Sequence, residues 1–108
     1  MAENFSEKPL SLAGTVEYSV GAVVSKTVIN KKVGTITLFA FDQGQRLSEH
    51  AAPFDALVNV LDGEGEVVIG GKPHRLHAGD FIIMPANIPH AVNAVAKFKM
   101  MLVMIRGE

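Results

Sequence analysis

From Val23 to Ile105 the chain is a succession of short apolar, β-branched runs closed by glycine, proline, asparagine and aspartate. Runs this brief, punctuated at short intervals, can pair as strands but do not carry the period of a long amphipathic helix. They read VVSKTVI (23–29), VGTITLFAF (33–41), ALVNVL (56–61), GEVVIG (65–70), PHRL (73–76), FIIM (81–84), HAVNAV (90–95) and KFKMMLVMI (97–105), with NKK, DQGQ, DGEG, GGK, HAGD and PANIP between them. The expected fold is all-β, an antiparallel sandwich or barrel.

Two junctions are specified by local chemistry. Gly70-Gly71 stands between strand-like runs and predicts a two-residue hairpin, because such turns need positive φ at positions where a Cβ would clash. Pro85 and Pro89 cannot donate to a sheet ladder, so the segment between Met84 and His90 is expected to be a turn that delivers His90 to the start of a strand. The final run is apolar on both faces, with Phe98, Met100, Leu102 and Met104 on one side and Met101, Val103 and Ile105 on the other. One face should line the interior and the other should be covered by a second layer. A homodimer would supply that cover. The alternative is the chain's own N-terminal segment, through Leu10, Leu12 and Val16.

At 108 residues the chain is expected to form one domain, 1–108, with residues 1–13 either flexible or laid over the barrel. Ten Lys and Arg against eleven Asp and Glu, scattered along the sequence, leave no basic stripe for a phosphate backbone, so no nucleic-acid partner is expected. There is no cysteine, which removes disulfides, thiolate nucleophiles and sulfur-rich zinc sites. Neither a signal-peptide pattern nor a run of 18 apolar residues is read, so no membrane partner is expected and a cytoplasmic protein is the reading.

Two stretches carry a more specific pattern. Gly44, His50, Ala52, Ala56 and Gly63 fall at the landmarks of the first signature motif of the cupin family, Gly, five residues, His, one, His, three or four, Glu, six, Gly. Gly79, Pro85, Asn87, His90 and Ala94 fall at those of the second, Gly, five, Pro, one, Gly, two, His, three, Asn. Residues 44–94 thus resemble both cupin motifs in spacing and order. The resemblance implies a double-stranded β-helix of the jelly-roll type, with His50 and His90 side by side at the barrel mouth. It also implies departures: alanine stands at 52 and 56, where the motif has a second histidine and a glutamate.

That leaves two of the family's metal ligands. His50 and His90 could hold a divalent transition metal (Zn, Ni, Fe or Mn) only weakly, because catalytic zinc usually takes three protein ligands and structural zinc four. Asp55 and Glu49 are the neighbouring carboxylates, but a one-residue displacement along a strand turns a side chain to the other face. Replacing a histidine and a glutamate by alanines also removes bulk, and a small molecule could fill the space against Ala52, Ala56, Val58, Val60 and Val92. By strand parity Arg46 and Ser48 would join His50 at the mouth, where Arg46 would favour a carboxylate or phosphate. His74 and His77 are three apart and should face opposite sides of a strand. Met84, Met100, Met101 and Met104 suggest a thioether copper site or, more simply, core filling. Three functions stay open: a small-molecule-binding cupin, a metal-dependent dioxygenase or isomerase, and a non-catalytic structural or sensory module, the structural form having its interior filled by its own Phe54 or Met84.

Overall fold

The computed structural model describes residues 4–107. Within them one short helix, α1 (Leu12–Thr15), precedes eight strands: β1 (Val23–Lys31), β2 (Gly34–Phe41), β3 (Arg46–His50), β4 (Asp55–Ile69), β5 (Lys72–His77), β6 (Phe81–Met84), β7 (His90–Asn93) and β8 (Phe98–Ile105). Every pairing is antiparallel. The first half of β4 pairs with β6 and β8, and β8 leads on to β2 and β1. Its second half pairs with β5 and β7, and β7 leads on to β3. Two sheets sharing one long strand curl into the jelly-roll architecture that the sequence predicts.

The shared strand is a difference from the sequence reading, which places DGEG in a turn between two strands. The chain instead runs through it, with a register shift between Val60 and Asp62 and with Gly63 at φ 74°. A bulge adds a residue to one strand, bends it and changes which positions face inward. Here it keeps both Val58 and Val60 before the bend and Val67 after it in the core, at most 1% exposed. A Cβ on Gly63 would lie 2.0 Å from the Lys97 carbonyl oxygen, so no other residue fits without moving the backbone. Gly70 and Gly71, at φ 57° and 80°, form the expected hairpin, with Ile69 opposite Lys72.

The interior is apolar and aromatic. Phe41 and Phe98 are fully buried and stack with ring centroids 4.5 Å apart, among Val58, Val60, Val67, Leu76, Val92 and Met100. A second cluster lies on the outer face, where Val16 covers Leu38 and Ala40 beside Tyr18, Leu61 and Met101. The segment is fastened there by Tyr18, whose hydroxyl donates to Asp62 Oδ2 at 2.6 Å, and by Lys99, whose Nζ donates to the Ala13 carbonyl at 2.6 Å. The N-terminal segment therefore covers part of the outer face through Val16. Leu10 and Leu12 do not take part and stay about half exposed. Residues 1–3 of the expected flexible segment lie outside the described residues.

The far end of that face is bare. Ile29, Ile36, Val103, Leu57 and Ile83 are successive partners across β1, β2, β8, β4 and β6, forming one aliphatic row. Phe81 and Ile105 flank it, both more than half exposed. No helix among the described residues is long and apolar enough to cross a membrane.

Candidate functional site

β3 and β7 are neighbours, and His50 stands opposite His90 in their ladder. The turn from Pro85 to Pro89 that delivers His90 is held on all sides. Ala86 N–H donates to Asp55 Oδ1 at 2.9 Å, Asn87 N–H to the Ala52 carbonyl at 2.7 Å, and Gly70 N–H to the Pro89 carbonyl at 2.8 Å. Asn87 adopts φ 67°, a left-handed conformation that asparagine tolerates better than other side-chain-bearing residues. The departure from glycine at this motif position therefore preserves the turn. Asp55 acts as the cap of this turn from the exposed start of β4, so its carboxylate is committed to the backbone.

The two imidazoles meet edge to face, with centroids 4.4 Å apart and their Nε2 atoms 3.1 Å apart. Behind, His50 Nδ1 lies 2.9 Å from the Ser48 carbonyl and His90 Nδ1 lies 3.2 Å from the Ile88 carbonyl. His50 is exposed at the mouth, whereas His90 is buried, 5% exposed. Burial holds the pKa of His90 below its ordinary value, and the charge of His50 adds to the effect, partly offset by the Ile88 carbonyl. His90 thus stays neutral near pH 7.

Both histidines open onto a cavity of about 190 Å³ lined by Phe39, Leu47, Ala52, Phe54, Ala56, Met84, Met100, Leu102 and Met104. Ala52 and Ala56 are where the sequence places them. Val58, Val60 and Val92 are not: they are core residues, and none lines the cavity, whose walls come from β2, β3, β4, β6, β7 and β8 and from the 51–54 loop. Arg46 and Ser48 also miss it. Leu47 pairs with Val92 and His50 with His90, so β3 spends three residues where β7 spends two. That irregularity puts Leu47 on the side of His50 and leaves Arg46 and Ser48 exposed. Phe54 and Met84 line the cavity without filling it. Phe39, Leu47 and Leu102 line the cavity without a motif to mark them. Their only sequence signal is alternation with the inward positions of their strands, which core residues share.

His74 and His77 lie apart on β5, opposite Val67 and Glu64 respectively, with His77 Nε2 3.4 Å from Glu64 Oε1. Among the described residues no group of three or more His, Cys, Asp or Glu could hold a metal ion. Two imidazoles facing two alanines therefore do not fit a divalent site that needs three or four protein ligands.

Two antiparallel sheets rolled about one shared strand, with paired histidines over an apolar hollow, define an all-β barrel. The chain belongs to the cupin family: a family model described as cupin domain matches residues 37–106. Among solved structures it resembles a conserved protein of unknown function from Streptococcus pyogenes, with 36% identity, 99% of this chain and 95% of that one covered, and a TM-score of 0.93. A cupin 2 conserved barrel domain protein from Leptotrichia buccalis is 45% identical at a TM-score of 0.87, over 89% of this chain and 47% of that one. This chain thus spans about half the length of that relative. A cupin superfamily protein from Desulfitobacterium hafniense is 28% identical over 94% of both chains, with a TM-score of 0.88. No curated protein matches.

Proposed function

We propose that this cupin binds a small molecule in the cavity beneath His50 and His90. The observation that carries the reading is the cavity itself: an apolar hollow of about 190 Å³ beside two polar groups that converge on one point. Binding sites pair an apolar wall with a few placed polar groups in this way. Xenon tests it directly, since dry apolar cavities take it up. Xenon pressure should shift the ε-methyl NMR signals of Met84, Met100 and Met104, which line the cavity, and spare Met101 on the outer face. An unresponsive set of methyls would mean the interior is filled and the reading wrong.

The three thioethers favour a second reading, in which the same mouth holds a soft ion. Imidazole and thioether donors together suit copper(I) better than the harder divalent ions. Copper(I) titration against a chromogenic chelator should then show one ion per chain, lost on His50→Leu.

We also infer that a second copy of this chain covers the bare aliphatic row. It crosses five strands, roughly 20 Å at the usual strand spacing, and carries no charge. Two copies related by a two-fold axis would set that row against itself, apolar on apolar.

A further inference from the structure

Resting on the reading that a second copy covers the aliphatic row, we propose how that copy sits: the two-fold axis runs along β8 at Val103, and the β6 end of each sheet seats in a groove at the β1–β2 end of the other. A sheet face that packs on its own copy turns about an axis along its strands or about one across them. Either way, a contact from one residue to another is made twice. β8 is the middle strand of the five that carry the row. Turning about β8 sets Val103 against its own counterpart, Ile36 against Leu57 and Ile29 against Ile83. Turning across the strands sets each member of the row against itself.

The relief of the face selects the first arrangement. At the β1–β2 end, Ile29, Val33, Ile36, Val103 and Ile105 line a groove of about 270 Å³. At the other end Phe81 and Ile83 project from β6, 63% and 53% exposed. About β8, the projecting side chains meet a groove twice. Across the strands, groove faces groove and leaves a void, which close-packed interfaces do not keep. The charges select the same arrangement. Lys31 and Asp55 are both exposed and lie on one rung, joined through Gly34 and Ile105. Turning about β8 brings Lys31 of one copy within one strand spacing, about 4.8 Å sideways, of Asp55 of the other. Turning across the strands lays Lys31 over Lys26 of the other copy, which pairs with Leu38 on the opposite side of the row, like charge on like.

Because the chain has no cysteine, introduced cysteines report the arrangement cleanly. Facing sheets lie about 10 Å apart, within reach of a short bis-maleimide but not of a disulfide. Val103→Cys should cross-link to its own counterpart. The double variant Ile29→Cys/Ile83→Cys should cross-link two chains, and neither of its single variants should. Any other pattern in a chain that light scattering shows as a dimer would overturn the axis. Lys31→Glu gives a test that needs no cross-linker. It should weaken the dimer roughly fivefold, by setting carboxylate beside carboxylate in two places, whereas the crosswise arrangement would have it tighten against Lys26. A tighter or unchanged dimer would overturn the arrangement and leave the dimer itself standing. A native monomer in light scattering would overturn both.

Discussion

Gly63 combines a positive φ with a backbone atom in the place of a Cβ. Its positive φ and the Lys97 carbonyl in the place of a Cβ make Gly63→Ala costly twice over, by strain and by contact. A loss of about 3 kcal/mol or more in urea unfolding is expected, against about 1 kcal/mol at Gly44, where the positive φ strains an alanine but a Cβ would meet nothing. His90 sets a pH dependence. The unfolded chain takes up its proton near pH 6.5, while the folded site resists it through burial and through His50. Above that pH both states are neutral and nothing is lost; as pH falls below it, the unfolded state is increasingly favoured until the lower folded value is reached. The urea midpoint should therefore drop between pH 7 and pH 5, and His90→Gln should flatten that drop. A midpoint that stays constant in the native protein would contradict the assignment of a neutral, buried imidazole. At this scale the sequence was legible wherever a residue acts alone: His50, His90, Ala52 and Ala56 stand where their spacing places them. Asp55 was legible as a carboxylate near the site, but its partner, the Ala86 amide, appears only when the turn folds back.

Among the elements, the turn before β7 does the positioning. Asp55→Ala removes the acceptor of the Ala86 amide and should cost about 1 kcal/mol, since the bond lies at an exposed strand start. Because the same turn aims His90, the variant should also move the ring NMR signals of His90 more than Glu49→Ala, a substitution beside His50 that leaves the turn intact. Urea unfolding and imidazole NMR on the two variants check the two expectations. Strand ends and tight turns were readable because glycine and proline act within a few residues of themselves. The Gly70-Gly71 hairpin and the Pro85 to Pro89 turn are examples. β3 does not stand out among the apolar runs, because RLSEH is polar and short; a strand there follows only from the cupin resemblance, and the parity assigned to it fails because its pairing is broken between Leu47 and His50. Nor does the continuity of β4: DGEG has the composition of a turn, and only pairing with β8 on one side of the bend and β5 on the other holds it extended.

For the whole molecule, the question is what covers the outer face. Ile83→Asp places a charge at one end of the aliphatic row without touching the core, as Ile83 is 53% exposed. Light scattering after size exclusion should report a dimer for the native chain and a monomer for Ile83→Asp, with the thermal transition retained. A native monomer would overturn the dimer. The sequence by itself determined the all-β class, the cupin order of glycines, prolines and histidines, and the two-sided character of β8, because alternation and turn chemistry are local properties of the chain. Only the tertiary structure decided which apolar residues wall the cavity. The irregularity between Leu47 and His50 resets the alternation, so that Leu47 joined the site and Arg46 left it, whereas Val58 and Val60 keep the inward parity of Ala56 but lie further along β4, in the core. A bulge is chosen by the pairing partners on both sides of a strand, and those partners are far apart in the sequence.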